Sequence, residues 1–316
     1  MTERFHSSAS QAGLAILACL LWSTAFVGVK IGLTYVGPFA FAGIRFALSG
    51  IILLPFCGRP AAFFRTVSSN WKMILQLSFF QTFLLYGMFY VGMTLIPGAL
   101  GAIVIGSGPL LSAVTAHFLM PDDTMTRAKS ISIAIGLLGV AVISLSRQPW
   151  QATGLMEFVG VVLLVLGGVC SAFGNIIVAR DEANVPPLIL NAVQIFFGGV
   201  LLLVISLPLE GLPDLNQPIR FYLILLWLSF LSAVAISIWF FLLKKPGVKV
   251  SELNLWKFLI PVGGAIFSWT FLPAESPEAA PVIGMICVAG AVLWYHAVAP
   301  VKKQQRADAL AGDPPV

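Results

Sequence analysis

Lys257 is the residue of this sequence whose position first suggests a chemical role. It lies about six residues into the apolar run 251–272, beside Asn254, which for a helix is a depth of about 9 Å. A charge at membrane depth costs at least about 2.5–3.5 kcal/mol, so it needs a reason. We interpret Lys257 as a cavity residue that attracts a carboxylate or another anion. The alternative is a side chain that reaches back to the nearby membrane surface.

A second group of candidates consists of neutral polar and aromatic side chains in other apolar runs. Rings with a polar tip suit a cavity that binds an amphipathic solute. Any one of them could instead anchor a helix at the membrane surface or bond to a neighbouring helix. With Lys257, the predicted substrate-binding residues are Trp22, Ser23, Gln81, Tyr86, Tyr90, Asn175, Trp239 and Asn254.

Three further residues suggest structural or mechanical roles. Arg45 lies seven residues after Pro38, and we predict that it bonds to carbonyl groups of neighbouring helices. Pro109 and Pro261 lie in the middle of apolar runs, where each removes a backbone donor and bends the helix. We predict that these prolines act as hinges, and the alternative is a static bend.

The motifs of enzymes are missing from the sequence. No GxxxxGK[ST] or HExxH motif occurs, and Gly106-Ser-Gly-Pro109 has no lysine after it. The nearest histidine to that serine, His117, is ten residues along the same run, about 15 Å away by helical rise. The four cysteines stand singly, without metal-ligand spacing. We therefore predict no catalytic site, no metal and no cofactor.

The composition indicates a membrane protein. Of the 316 residues, 59% are hydrophobic and 10% are charged, whereas a soluble domain carries about 25% charged residues. Apolar runs of helical length predict an all-α polytopic membrane protein with ten transmembrane helices. The predicted spans are 12–33, 38–56, 73–95, 98–120, 130–146, 157–179, 187–207, 219–243, 251–272 and 281–299.

Lysine and arginine are distributed unequally between the two sides of this predicted bundle. With the N-terminus inside, thirteen basic residues fall on the cytoplasmic side and three on the other. Such a bias sets orientation in the membrane, so both termini are predicted to be cytoplasmic. The net charge of +5 is therefore explained by topology, and nucleic acid is not an expected partner.

The two halves of the sequence correspond at an offset near 150 residues. Pro38, Arg45 and Gly50 align with Pro187, Gln194 and Gly199. Five helices is an odd number, so two such repeats must cross the membrane in opposite senses, as in many secondary transporters. The predicted segments are a cytoplasmic N-terminus (1–11), a first repeat (12–146), a linker (147–156), a second repeat (157–299) and a cytoplasmic tail (300–316).

Several short motifs occur in the order found in a known family. They are Trp22-Ser-Thr-Ala-Phe26, Pro38 with Arg45-Phe46, Pro109, Pro121-Asp-Asp123, Gly136 and Gly139. With them, the chain resembles the drug/metabolite transporter superfamily in its ten-helix form with two EamA-type repeats. It departs from the family pattern at Asp123, where glutamate is usual, and at Gln194, the counterpart of Arg45.

The resemblance implies export of small metabolites, commonly amino acids, across the bacterial inner membrane by use of gradients. We therefore expect a secondary exporter of amphipathic metabolites that works by alternating access, as a monomer or homodimer in the lipid bilayer. Two alternatives stay open at this point. One is a multidrug or other metabolite carrier of the same fold, and the other is a membrane scaffold or receptor without transport.

The charge bias makes a prediction about topology. Reporter fusions at the C-terminus and in the loop 273–280 should report opposite sides of the membrane, with the C-terminus in the cytoplasm. A periplasmic C-terminus would contradict the topology and the inverted repeat that depends on it.

Overall fold

The computed structural model describes residues 2–96, 104–106, 108–145 and 155–271, residue 279, and the pieces 282–284, 286–287, 289–291 and 293–295. All regular secondary structure in these residues is helical. Helices suit the long apolar runs, because in lipid the backbone has to satisfy its hydrogen bonds internally. Six of the described helices are long and apolar enough to cross a membrane: Ser10–Val29, Pro38–Phe56, Trp71–Leu95, Phe158–Ala179, Pro187–Glu210 and Ile219–Leu243.

The described residues of the first half form seven α-helices of at least seven residues, and the third membrane segment is interrupted. They are α1 (Thr2–Gly32), α2 (Pro38–Leu53), α3 (Pro60–Ser69), α4 (Trp71–Leu77), α5 (Leu85–Leu95), α6 (Gly108–Leu119) and α7 (Arg127–Leu145). A π-helical stretch, Ser78–Leu84, joins α4 to α5. The helix α1 begins well before residue 12, because hydropathy marks where the chain enters lipid and not where the helix starts. The sequence analysis did not predict α3, a short helix without buried residues.

The second half forms five helices in the described residues. They are α8 (Leu155–Ala179), α9 (Pro187–Glu210), α10 (Ile219–Leu243), α11 (Val250–Asn254) and α12 (Leu259–Phe271). A 3₁₀ stretch, Leu255–Phe258, joins α11 to α12, so the predicted span 251–272 is not one regular helix. Helical pieces between 282 and 295 fall within the tenth predicted span. The predicted linker up to residue 154 and the tail 300–316 lie outside the described residues.

The centre of the structure is an antiparallel contact between α2 and α9. A Cβ atom at Gly43 would lie 2.9 Å from the carbonyl oxygen of Gly199, and one at Gly50 would lie 2.7 Å from that of Ala192. A Cβ atom at Gly199 would lie 2.4 Å from the amide nitrogen of Ala47. Small residues allow helix backbones to approach this closely in a membrane. The two helices are therefore held together by backbone contact.

The Glu210 carboxylate closes one end of this helix pair. It lies at the end of α9 and accepts hydrogen bonds from the backbone amides of Phe39 (2.8 Å) and Ala40 (2.9 Å) in the first turn of α2. The first amides of a helix have no partner within the helix, and they carry partial positive charge. One carboxylate therefore satisfies two of these amides and fixes the register of α2 against α9.

The other long helices pack around this pair in two groups. The helix α1 packs against α10 and α12, while α8 packs against α5 and α6. Large aromatic side chains fill the space between the groups and the central pair, among them Phe41, Phe46 and Trp239, each no more than 1% exposed. The space that they leave open in the middle is the candidate site described below.

The contact of α2 with α9 makes a prediction about stability. Gly199→Ala should lower the free energy of unfolding by about 1–3 kcal/mol, because the added methyl group meets backbone atoms that cannot move aside locally. Gly13→Ala is the matched control, because a Cβ atom there meets nothing within 4 Å. Denaturation of both variants in detergent micelles would measure the difference. Equal stability of the two variants would contradict the backbone contact.

Candidate functional site

A cavity of about 170 Å³ lies at the centre of the described helices. Its wall combines residues of both halves of the chain, from α1, α2, α5, α6, α8 and α10 and from the two interrupted segments. Five of the nine predicted substrate-binding residues line it, together with Arg45. They are Trp22, Gln81, Tyr86, Trp239 and Lys257.

Lys257 lies in the 3₁₀ stretch, between the aromatic rings of two other helices. Its Nζ atom is 4.8 Å from the ring centre of Trp239 and 5.7 Å from that of Trp22. The two indole rings touch edge to face, with centres 5.1 Å apart. Among the described residues, none forms an ion pair or a hydrogen bond with this ammonium group. Ring faces attract a cation but do not neutralise it, so Lys257 presents a positive charge to the cavity.

The two predicted hinge prolines stand close to the cavity wall. Pro261 is the third residue of α12, and Pro109 is the second residue of α6. A proline has no amide hydrogen to donate to the carbonyl four residues earlier, which is that of Lys257 for Pro261 and that of Ile105 for Pro109. Lys257 and Ile105 both line the cavity. Each proline lies in the first turn of its helix as described, where an amide hydrogen has no partner within the helix. Its role as a hinge stays a prediction.

Arg45 of α2 reaches the cavity from the central helix pair, and all its bonding partners are neutral. Its Nη1 donates to Tyr90 Oη (2.7 Å), its Nη2 donates to Ser232 Oγ (2.7 Å), and its Nε lies 3.2 Å from the Leu228 carbonyl oxygen. Arg45 thus joins α2 to α5 and α10. It also lines the cavity, which the sequence analysis did not predict.

Two polar atoms in the cavity wall have no partner among the described residues. One is Oε1 of Gln81, in the π-helical stretch, and the other is Nε1 of Trp239. Both side chains are buried. The Gln81 side chain packs against Gly174, where a Cβ atom would lie 2.0 Å from Oε1. An unpaired buried polar atom is costly, so these two atoms are candidates for contacts with a bound solute.

The other four predicted binding residues lie behind the cavity wall and hold helices together. Ser23 Oγ donates to the carbonyl oxygens of Cys19 and Ile260, and thereby ties α1 to α12. Asn175 Nδ2 donates to Asn254 Oδ1 (3.2 Å), which joins α8 to α11. Tyr90 is the partner of Arg45. Asn254 is fully buried and does not line the cavity, because its side chain bonds to Asn175 and to the Val250 carbonyl oxygen.

The sequence analysis missed the apolar and glycine part of the wall. Phe26 and Val29 follow Trp22 at spacings of four and seven residues, and Leu85 and Phe89 follow Gln81 at four and eight. This helical periodicity was visible in the sequence, but it is equally typical of a face that packs against another helix. Gly108, Gly167 and Gly168 also line the cavity, and their lack of side chains leaves it space.

Asp123, after α6, anchors the segment that carries Lys257. Its carboxylate accepts from the Ser251 amide (2.8 Å) and hydroxyl in α11, and it pairs with Lys129 of α7. Burial raises the pKa of the Asp123 carboxyl, but the bonds from Lys129 and Ser251 outweigh this and leave the pKa below its ordinary value. The carboxylate therefore stays ionised and holds the start of α11 in place.

Tyr86 and Tyr90 provide a matched pair for a test of these assignments. Tyr86 lines the cavity and its hydroxyl has no protein partner among the described residues, whereas the Tyr90 hydroxyl accepts from Arg45. Tyr86→Phe should leave the thermal stability unchanged and alter solute affinity. Tyr90→Phe should lower the free energy of unfolding by about 1.5–3 kcal/mol, the value of a hydrogen bond to a charged group. The reverse pattern of stabilities would contradict the placement of both side chains.

The described residues contain no group of three or more His, Cys, Asp or Glu side chains that could hold a metal ion. Residues 10–145 and 158–295 match the EamA-like transporter family. The chain is 26% identical to the uncharacterized transporter YvbV of Bacillus subtilis, covering 80% of this chain and 81% of that protein. It is 28% identical to the chloroplastic WAT1-related protein At3g02690 of Arabidopsis thaliana, and the match covers 79% of this chain and 61% of that protein.

A solved crystal structure has a similar fold, with a TM-score of 0.74 at 17% identity, and the match covers 91% of this chain and 98% of that one. The family match extends over both halves of the chain and agrees with its apolar helices. The chain belongs to the EamA-like transporter family of the drug/metabolite transporter superfamily, and it is a multi-pass membrane transporter, not an enzyme.

Proposed function

We propose that this transporter is a secondary exporter of small amphipathic metabolites that carry a carboxylate, a class that includes the amino acids. The observation that carries the proposal is Lys257, an ammonium group in the cavity wall with no anionic partner among the described residues. An apolar cavity with a few fixed polar groups is typical of a small-molecule site. The aromatic rings around Lys257 would contact the apolar part of the solute.

The proposal includes an inverted repeat, for which the contact of α2 with α9 is the main support. These helices are equivalent in the two halves, at an offset of 149 residues between Gly50 and Gly199. They run antiparallel, as equivalent helices of inverted repeats must. Their contacts are also reciprocal: Gly43 meets Gly199, and the residues equivalent to these two, Ala192 and Gly50, also meet.

Polar contacts of α2 and α9 also cross between the two halves of the chain. Arg45 of α2 bonds to Ser232 of α10, in the second half, while its counterpart Gln194 of α9 accepts from Thr82 (2.7 Å) in the third membrane segment of the first half. The α10 helix is the counterpart of that third segment. Each central helix therefore bonds across to the other half. The packing of α1 on α10 and of α8 on α5 has the same crossed pattern.

Alternating access would use these two groups of helices as its moving parts. In transporters with inverted repeats, the solute site lies where the repeats meet, and one group of helices moves against the other. Pro109 and Pro261 lie at the starts of α6 and α12 beside the cavity wall, where such a motion would bend the chain. The cavity lies within one chain, so a monomer suffices for this cycle.

The site of action in the proposal is the bacterial inner membrane, with both termini cytoplasmic. The support is the excess of lysine and arginine in the loops of one side. In this orientation Asp123 with Lys129, and Asp181 with Lys244, form ion pairs on the cytoplasmic side. Export then means release of the solute on the opposite side.

Lys257→Met tests the proposal, because methionine keeps most of the side-chain volume and removes the charge. We expect at least a tenfold loss of carboxylate flux in proteoliposomes. Insertion into the membrane should stay normal, because removal of a charge from a membrane segment favours insertion. Lys72→Met is the matched control, because Lys72 also lies over an indole ring, that of Trp71 at 5.8 Å, but is exposed. Wild-type flux in the Lys257 variant, or equal losses in both variants, would contradict the assigned site. Wild-type protein that moves no carboxylate solute would contradict the proposed substrate class.

A further inference from the structure

We infer that the solute of this cavity is an amphipathic organic anion without a compensating ammonium group. The inference rests on the transport function proposed above and narrows it. It predicts that zwitterions and cations bind more weakly than carboxylates without an ammonium group. It follows from the charge, the hydrogen-bonding groups and the shape of the cavity wall.

The charged groups of the cavity wall are all positive. Lys257 and Arg45 line it, and none of its described lining residues is aspartate or glutamate. The acidic residues of the described chain that form contacts do so elsewhere: Glu210 caps α2, Asp123 binds α11, Asp181 pairs with Lys244, Asp214 accepts from the Asn216 amide, and Glu252 bonds to Tyr295. In an apolar surrounding, charges interact more strongly than in water. The cavity therefore attracts an anion and repels a cation.

Both cations are held by neutral groups, so the protein leaves their charge uncompensated. Tyr90, Ser232 and the Leu228 carbonyl fix the guanidinium of Arg45, and indole rings flank Lys257. An unpaired charge is unfavourable inside a protein unless another charge approaches it. A bound anion would supply that charge, and an ammonium group on the same solute would cancel the gain.

The hydrogen-bonding groups of the cavity wall also favour an anion. Lysine, arginine and the tryptophan Nε1 are donors only, and the Trp239 Nε1 has no acceptor among the described residues. A carboxylate accepts only, so it matches these donors. The side-chain acceptors among the described lining residues are the neutral oxygens of Gln81, Tyr86, Ser112 and Ser171. The ring faces of Trp22 and Trp239, the strongest cation-binding rings of the wall, are already beside Lys257, which leaves only the weaker faces of Phe26, Tyr86 and Phe89 for a solute ammonium.

The rest of the wall sets the apolar part of the solute. Phe26, Leu85 and Phe89 present hydrocarbon and ring surface, and Gly108 faces open space, since a Cβ atom there would meet nothing within 4 Å. A ring or branched chain fits this part, while the carboxylate faces Lys257. An aromatic or branched-chain carboxylic acid combines both features.

Four solutes with one phenyl ring and different charges test the inference. They are 3-phenylpropionate (an anion), 3-phenylpropanamide (neutral), phenylalanine (a zwitterion) and phenethylamine (a cation). Binding to the purified full-length protein is measured by ligand-induced thermal stabilisation, and flux by exchange in proteoliposomes. We expect 3-phenylpropionate to bind at least tenfold more tightly than the amide and phenylalanine, and phenethylamine to be the weakest.

The possible results separate this inference from the proposed function. If phenylalanine binds and moves at least as well as 3-phenylpropionate, the anion inference is wrong and the proposed function stands. If phenethylamine or the amide does so, the carboxylate of the proposed function is wrong as well. If none of the four binds or moves, both are wrong. These outcomes need only the wild-type protein, so they do not depend on the folding of a variant.

Variants at Lys257 identify the source of the preference. Lys257→Met should make 3-phenylpropionate and the amide bind within a factor of about three of each other, and Lys257→Glu should place phenethylamine ahead of the anion. Lys72→Met should keep the wild-type order. A tenfold preference for the anion that persists in Lys257→Met would overturn the role of Lys257 in charge selection.

Discussion

The backbones of α2 and α9 approach each other so closely that no side chain fits between them at Gly43, Gly50 and Gly199. In lipid, apolar side chains gain little by leaving the surrounding hydrocarbon, so helices associate through close packing and polar contacts. This contact therefore sets where the other helices lie. It also brings Arg45 and Gln194, at equivalent positions of the two helices, to the groups that each bonds. A shift of α2 along α9 would move Arg45 away from Tyr90 and Ser232.

The polar contacts inside the protein depend on how α2 lies along α9. A guanidinium group inside a membrane protein is tolerated when its donors are satisfied, and Arg45 achieves this with a phenol, a hydroxyl and a carbonyl group. Gln194 is held in turn by Thr82 and Asn191. Neutral partners satisfy hydrogen bonds without cancelling charge. The cavity beside Arg45 is therefore positive, and Lys257 adds to this effect.

The backbone is irregular where it lines the cavity. The π-helical stretch carries Gln81, and the 3₁₀ stretch carries Lys257. Irregular backbone at membrane depth is tolerated where it is buried in protein or lines a cavity, because lipid offers no hydrogen bonds. Pi-helical turns are frequent at functional sites in general. These two interruptions carry one polar and one charged side chain of the cavity wall.

By itself, the sequence determined the class of the protein, the places where its long helices lie and five of the residues that line the cavity. These follow from local properties: the length of apolar runs, the cost of a charge in lipid and the depth of a residue in its run. Lys257 and Tyr86 could be chosen as cavity residues because a charge or an unpaired hydroxyl group at their depth in the membrane costs free energy.

Only the tertiary structure decided which polar residues face the cavity and which join helices. Ser23, Tyr90, Asn175 and Asn254 have the same types and depths as the lining residues, but each bonds to a group from a distant part of the chain. Arg45 was predicted to be structural, and the fold also places it at the cavity. Asn254 lies three residues before Lys257, but its bonds to Asn175 and to the Val250 carbonyl oxygen hold it behind the cavity wall. Such contacts depend on how helices pack, and that packing is decided by residues far away along the chain.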